Sequence, residues 1–357
     1  MSNTTLTPCG DFKTSYAADT TIFPTVASRN GVILAIAILL LAPAYLDRYW
    51  LSLFIQIGCL GIAALGLNIL VGFTGQISIG HAAFFGFGAF ASAWLNNSLN
   101  VPVVLSIPLA GLLTSGVGLL FGLPAARLKG LYLAIATLAA QYILQDFFAR
   151  SEWFTGGTAG TIAAPLTLFG FAFDSDQSYF YVVLAATAIM YLLAANLMRT
   201  RDGRALVAVR DHYLSAEIMG INLTRYRTMS FGISSLYAGI GGALYGHYLQ
   251  FVSVESFTIL FSIQFLSMII IGGLASIMGS LMGTTFVVLL PEVMQRATKL
   301  LSGTPVDAAL SLKENISFLR EISIGVVIIL FLIFEPDGLA HRWKQIKAYW
   351  KLYPFSH

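Results

Sequence analysis

Long apolar runs separated by short polar breaks dominate this chain. Read against the roughly twenty residues that a helix needs to cross hydrocarbon, they predict about ten membrane segments. The runs fall at 31–46, 50–72, 80–96, 102–123, 131–149, 179–198, 229–251, 259–274, 276–291 and 319–335. The expected fold is all-α, a polytopic transmembrane helix bundle over 31–339, with a polar tail at 1–30 and a basic tail at 340–357. The first thirty residues scatter Asp11, Lys13, Asp19 and Arg29 among Thr, Ser and Ala. They lack the basic start and apolar core of a secretory signal, so the tail is expected to stay on the protein as a flexible extension.

Composition removes the soluble alternatives. With 57% hydrophobic residues, 10% charged residues and a mean hydropathy of +0.78 over 357 residues, the chain cannot cover itself with polar surface. The net charge of +3 is small and its basic residues sit in a few loops, which fits orientation in a membrane and gives no support to nucleic acid as a partner. Cys9 and Cys59 have neither paired nor metal-ligand spacing and are expected to be free thiols.

The most distinctive break is 199–228, where six arginines stand between two long apolar runs. Its middle, Ala205 to Gly220, is helix-compatible and ends in Gly-Ile-Asn, a helix stop that a plain connector does not need. The segment is therefore a docking candidate, with an ordinary basic cytoplasmic loop as the alternative reading. Arg127 with Lys129 forms a second basic cluster, and Arg342, Lys344, Lys347 and Lys351 a third. Two spans separate the first cluster from the arginine loop and four separate that loop from the third. One topology therefore places all three inside, with both termini cytoplasmic. Segments 150–178 and 292–318 then face outward, the latter mixing Arg296, Lys299 and Lys313 with Glu292, Asp307 and Glu314.

Small residues recur at four-residue spacing, as in Ala82 with Gly86, Ser235 with Gly239 and Ala243, and Ala275 with Gly279 and Gly283. In lipid such spacing marks close helix packing. The break from Gly72 to His81, GFTGQISIGH, gathers glycines and hydrogen-bonding side chains. Non-helical backbone survives at membrane depth only when buried in protein or lining a wet cavity, so this segment is either a gating element or a turn at the membrane surface.

The run from Gly66 to Phe90, GLNILVGFTGQISIGHAAFFGFGAF, resembles the signature of the branched-chain amino acid ABC importer permeases, in particular the LivM-like half. Three further stretches resemble the family in order. They are Arg127 to Leu138 followed by Thr155-Gly-Gly-Thr, then Val209 through Gly246, and then Leu266 to Glu292 with IGGLASIMGS and Leu290-Pro-Glu. Two features depart from the pattern. Asp337 is acidic where the family commonly has a basic residue, and Gln141 and Gln145 occupy a span where many members carry an acid.

The resemblance implies an importer subunit that contacts an ATPase through its cytoplasmic loop. The matching residues are Ala205, Ala208, Arg210, Asp211, Ala216, Gly220, Ile221 and Asn222. Small residues there would permit close seating, and Arg210 with Asp211 could make charge-assisted contacts. It also implies a LivH-like permease partner, two cytoplasmic ABC ATPase subunits and an extracytoplasmic solute-binding protein, all in a bacterial inner membrane. The sequence has no GxxxxGK[ST] run, so ATP is expected on the partner ATPases and no cofactor on this chain. The outward segments are far below domain size, so solute capture is delegated as well.

For the translocation path the expected residues are Asn68, Gln76, Ser78 and His81 around the break, with Gln141 and Gln145 on the fifth span. Uncharged hydrogen-bonding groups can pass a zwitterion without trapping it. Gln141 and Gln145, one turn apart, could equally bond a neighbouring helix, and His81 could be a satisfied buried donor. Asp146 and Arg150 have the spacing of an ion pair rather than a proton relay. An ion-coupled secondary transporter would need intramembrane carboxylates, whereas Asp146, Glu255, Glu292 and Glu321 all sit at span ends. An intramembrane enzyme would need a nucleophile or metal set, and no HExxH, GxSxG or Cys/His cluster occurs. The family default cargo is a branched-chain amino acid, with urea, amides and aromatic acids as alternatives.

Overall fold

The computed structural model describes residues 26–128, 130–168, 171–301, 316–335 and 337–352. Cys9, Lys129, Asp307, Lys313, Glu314 and most of the tail at 1–30 lie outside the described residues. The fold is a helical bundle. Helix α1 is Val26–Tyr45, α2 is Arg48–Asn68, α3 is His81–Leu99, α4 is Val103–Ala125, α5 is Leu131–Arg150 and α6 is the short Glu152–Thr155. Next come α7 (Asp176–Arg199), α8 (Arg201–Asp211), α9 (Tyr213–Ile218), α10 (Leu223–Leu249), α11 (Ile259–Gly272), α12 (Ile277–Leu301), α13 (Ile316–Phe334) and α14 (Gly338–Leu352). Strand β1 (Thr161–Ile162) pairs antiparallel with β4 (Phe251–Val252), and β2 (Thr167–Leu168) with β3 (Phe171–Ala172).

Six segments among the described residues are long and apolar enough to cross a membrane: Arg48–Phe73, Val103–Ala125, Leu131–Arg150, Asp176–Arg199, Val254–Gly272 and Ile277–Arg296. The other four expected runs correspond to α1, α3, α10 and α13. Helix α10 carries Ser234, Ser235, five glycines and His247 on buried positions, and it packs against α2, α3 and α4. It sits at the centre of the bundle, where apolarity toward lipid is not required. Two expected boundaries are corrected. The run at 276–291 continues as helix to Leu301, because Pro291 is accommodated within it. The single helix expected over 205–220 is two helices, broken where His212 takes an extended conformation (φ −148°, ψ 80°).

Glycines set the helix spacing. A Cβ on Gly88 would fall on the backbone of Gly239, and one on Gly242 would meet the Phe85 carbonyl. The expected packing glycines behave the same way. A Cβ on Gly86 would lie 2.6 Å from Phe257 Cγ, one on Gly239 2.5 Å from Thr114 Oγ1, one on Gly279 2.6 Å from the Gly272 carbonyl, and one on Gly283 would fall on the Met268 carbonyl. Without a hydrophobic force between helices in lipid, this close backbone approach is a principal source of their association. A polar knot adds to it: His247 bridges Ser92 Oγ at 2.7 Å and the Ala164 carbonyl at 2.7 Å, and Ser92 meets Ser106 Oγ at 2.8 Å.

The two ends of the bundle differ in chemistry. At one end Arg227 Nη1 donates to the Ala126 carbonyl at 3.2 Å, Arg210 Nη1 donates to the Gly72 carbonyl at 2.8 Å, and Gly338 lies against Gly273. The elements bearing the three basic clusters are thereby gathered on one face. At the other end Asn97 Nδ2 donates to the Ile162 carbonyl at 2.8 Å, and Trp94, Trp153 and Phe154 form an aromatic group with Trp94 and Trp153 edge-on at 6.0 Å.

Replacing Gly242 by Val is expected to destabilise the purified protein by about 1–3 kcal/mol through overpacking. Gly116→Ala, where a Cβ meets nothing within 4 Å, should leave the melting temperature unchanged. Thermal unfolding in detergent, followed by size-exclusion chromatography, distinguishes the two.

Candidate translocation path and coupling site

Helix α2 does not end in a simple cap. It runs into a π-helical turn, Ile69–Phe73, and the chain then proceeds without helix to His81. Thr74 Oγ1 returns to the Ile69 carbonyl at 3.0 Å, and the Gln76 amide reaches the Leu70 carbonyl at 3.1 Å. The stretch then turns back into the bundle. His81 Nε2 lies 2.9 Å from the Ala63 carbonyl, about ten residues, or roughly 15 Å of helix rise, before the end of the π turn. Ile79 N donates to Thr137 Oγ1 at 3.0 Å and Ala83 N to Gln141 Oε1 at 2.9 Å, both on α5. The segment is thus re-entrant, which decides between the two readings of the break: it is not a surface turn.

Within it burial alternates. Thr74, Gln76, Ser78 and Gly80 are buried, whereas Gly75 is exposed, Ile77 is 43% exposed and Ile79 half-buried. This period of two is that of extended backbone. Gln76 Nε2 donates to Ser230 Oγ at 2.6 Å and weakly to the Arg227 carbonyl at 3.4 Å. Gln76 Oε1 and Ser78 Oγ are buried with no hydrogen-bonding partner among the described residues. The hydroxyls of Thr187, Thr228 and Ser234 share this state, and each such atom costs about 1–3 kcal/mol when left without a partner.

The other expected path residues divide. Asn68 is a clamp: its Nδ2 donates to the Ser276 carbonyl at 2.9 Å and Ser280 Oγ at 2.8 Å, and its Oδ1 accepts from Ala275 N at 2.9 Å. It fastens the end of α2 to the turn between α11 and α12. Gln141 is a second clamp, its Oε1 accepting from Ala83 N and from Ser262 Oγ at 3.0 Å while its Nε2 donates to the Phe257 carbonyl at 2.8 Å. Gln145, one turn on, is half-buried and makes none of these bonds. His81 stacks edge-on to Phe265 at 5.4 Å. Asp146 and Arg150 form an exposed ion pair at 2.8 Å. Asn68 and Gln141 therefore hold either side of the break and are not brought together with Gln145.

Sequence reasoning passed over a cavity of about 230 Å³ between α2, α10, α11 and α12, whose lining includes Gln56, Gln264 and Glu292 among aliphatic and aromatic side chains. Tyr49 donates to Glu292 Oε1. The signal that could have found it was present: Gln56 and Gln264 are isolated amides inside long apolar runs, and polar groups in such runs face a cavity or the bundle interior.

The arginine loop folds onto the base of the break. Thr200 caps α8, accepting from Gly203 N at 3.3 Å, and Asn222 caps α10, accepting from Arg225 N at 3.0 Å. Arg210 pairs with Asp211 at 2.8 Å and also donates to the Gly72 carbonyl in the π turn. Its Cγ would lie 2.9 Å from a Cβ on Gly75. Ala205 and Ala216 are buried against the chain's own bundle, Ala208 and Ile221 are half-buried, and Gly220 stands in open space at φ +86°. Arg210, Asp211 and Asn222 are exposed, and so are the apolar side chains of Leu214, Ile218 and Met219, the last two 85% and 83% exposed. This apolar knob was not anticipated. Leu206, Val207, Val209, Ile221 and Leu223 in the same loop are apolar as well, so composition did not single these three out.

Residues 49–334 match the family described as "Branched-chain amino acid transport system / permease component". The chain is 30% identical over 302 residues to the "High-affinity branched-chain amino acid transport system permease protein LivM" of Salmonella typhimurium, covering 78% of this chain and 67% of that protein. It is 27% identical over 315 residues to the "Probable branched-chain amino acid transport permease protein LivM" of Methanocaldococcus jannaschii, covering 81% and 88% respectively. To the probable LivH protein of the same organism it is 29% identical over 237 residues, covering 62% and 72%. No solved structure matches this chain.

Asn68→Leu and Gln141→Leu, which strand several backbone and hydroxyl groups at once, are each expected to cost about 2–4 kcal/mol, more than one unsatisfied buried group. Gln145→Leu should cost under about 0.5 kcal/mol, as a change away from such features. Melting temperatures of the three variants in one detergent test this ordering.

Proposed function

The chain belongs to the branched-chain amino acid transport permease family, and from that premise we propose that it is one of two membrane-spanning subunits of an ABC importer. It would pair with a LivH-like permease, two cytoplasmic ATPase subunits that bind ATP, and an extracytoplasmic solute-binding protein. The cargo would be a branched-chain amino acid or a related small polar solute, carried across a bacterial inner membrane without covalent chemistry. The proposed topology has ten spans, with both termini and the basic face cytoplasmic, in keeping with the gathering of Arg127, the 199–228 arginines and α14 on one face.

The family supplies the activity; one contact carries the mechanism. Arg210 Nη1 donates to the Gly72 carbonyl at 2.8 Å, so α8 is tied by a charge-assisted bond to the π turn from which the re-entrant segment departs. A force applied to Leu214, Ile218 and Met219 by an ATPase cleft would move α8 and α9 together, since His212 N donates to the Ala208 carbonyl at 3.1 Å and Ala216 N to the His212 carbonyl at 2.9 Å. It would then pull the π turn and shift Gly75, Ile77 and Ile79 relative to the Asn68 and Gln141 clamps. Gln56, Gln264 and Glu292 would line the outward end of the path, offering amides and a carboxylate to a zwitterion and aliphatic walls to its side chain. The Gln76 and Ser78 oxygens would serve the deeper part. Alternating access then needs only this segment and the partner permease to rearrange, with the clamped helices as frame.

In proteoliposomes carrying the complete importer with internal ATP, Arg210→Ala is expected to lower solute uptake at least tenfold while ATP hydrolysis continues, with a smaller loss for Arg210→Lys, which keeps the charge but not the fork. Ion-gradient-driven uptake without ATP would overturn the importer reading, and unchanged uptake by Arg210→Ala would remove the latch from the mechanism.

A further inference from the structure

Helix α14 begins four residues after α13 ends and is rooted on the basic face of the bundle. Gly338 stands at φ +75°, a Cβ on Gly273 would lie 3.4 Å from Ala340 Cβ, and Ala340 is buried. Arg342 pairs with Glu335 across the turn, fixing the angle at which the helix leaves. Beyond this root every residue from Arg342 to Tyr349 is exposed. That exposure includes Trp343, Ile346 and Tyr349, at 53%, 50% and 60%, which at three-residue spacing share one flank of the helix. Lys347 is also exposed and stands on the neighbouring flank, and the exposed Lys344 and Ala348 lie opposite the apolar stripe. The helix sequence, GLAHRWKQIKAYWKL, contains no Asp or Glu.

A helix of this make, leaving the end of an apolar helix, starts at the depth of the lipid headgroups. Its Trp and Tyr rings suit that layer, its charges are too many for the hydrocarbon, and at 15 residues it is too short to span. We propose that α14 lies in the plane of the membrane, with Trp343, Ile346 and Tyr349 sunk into the headgroup layer, Lys347 bound to anionic phospholipid headgroups and Lys344 adding positive charge from the upper face. The argument for lipid as the occupant is charge complementarity together with continuity from α13, which leaves the apolar stripe no route away from the bilayer surface. It needs no assumption about the cargo.

The test uses the full chain in nanodiscs of phosphatidylcholine alone or with about one-third phosphatidylglycerol. In a Cys9→Ser background, a spin label is attached at Ile346→Cys or, on the opposite face, at Ala348→Cys; Cys59 is buried and leaves the labelling site-specific. The label at 346 should collide more with oxygen than with a water-soluble nickel chelate when phosphatidylglycerol is present, and the label at 348 should show the reverse. Lys347→Gln should lower the surface-bound to free ratio about fivefold, Lys344→Gln should lower it less, and raised salt should lower it as well. Equal exposure of both labels to the nickel chelate in both lipids would overturn the proposal. So would protection of position 346 that appears only when ATPase subunits are added, which would make α14 a protein-docking helix.

Discussion

At membrane depth a backbone amide or carbonyl has no water to fall back on, and this one constraint shapes the centre of the molecule. Between Phe73 and His81 the chain abandons helix inside the bundle, so its polar groups must be met by side chains from elsewhere. Thr137 meets Ile79 N, Gln141 and Ser262 meet the first amides of α3, and Asn68 meets the turn facing the π-helical end of α2. Hydroxyls and amides that would be costly in a uniformly apolar bundle are here the condition for a break to exist.

The same economy explains why the frame is built from glycine and serine. Helices α3, α4 and α10 approach closely enough for Gly88, Gly111 and Gly239 to meet backbone to backbone, and the His247, Ser92 and Ser106 knot locks them near the far end. A rigid frame allows a displacement at one point to be felt at another. The connection from α8 to the π turn is the guanidinium bond from Arg210 to the Gly72 carbonyl. Its partner Asp211 orients the guanidinium from the next residue along. Sequence separation here is large, since Arg210 and Gly72 are 138 residues apart, and only the docking of α8 against the base of the break brings them together.

Much of the architecture was legible in the residues. The apolar runs gave the helices to within a few positions, because burial in lipid demands a composition that little else produces. Basic loops gathered on one face as their parity required. The four-residue spacing of small side chains marked contacts between helices. Where the reading departed from the structure, a local pattern was too weak to resolve a tertiary choice. His212 breaks what looks like one helix, Pro291 fails to break another, and Ala205 and Ala216, suited by size to a partner's cleft, are used up by the chain's own packing.

The candidate site divides along the same line. That Gly72 to His81 is special, that Asn68, Gln76, Ser78, His81 and Gln141 are polar groups in an apolar setting, and that the 199–228 loop carries a structured basic element, all follow from the sequence, since each violates the composition of its surroundings. Which of these polar groups are clamps and which stay unpaired depends on whether a partner stands within about 3 Å. Asn68 and Gln141 find theirs on segments distant in sequence, while Gln76 Oε1 and Ser78 Oγ find none among the described residues. Hydrophobic patterning is a one-dimensional consequence of the solvent and can be read along the chain. Hydrogen-bond pairing is a short-range property of three-dimensional neighbours, and only the packed bundle decides it.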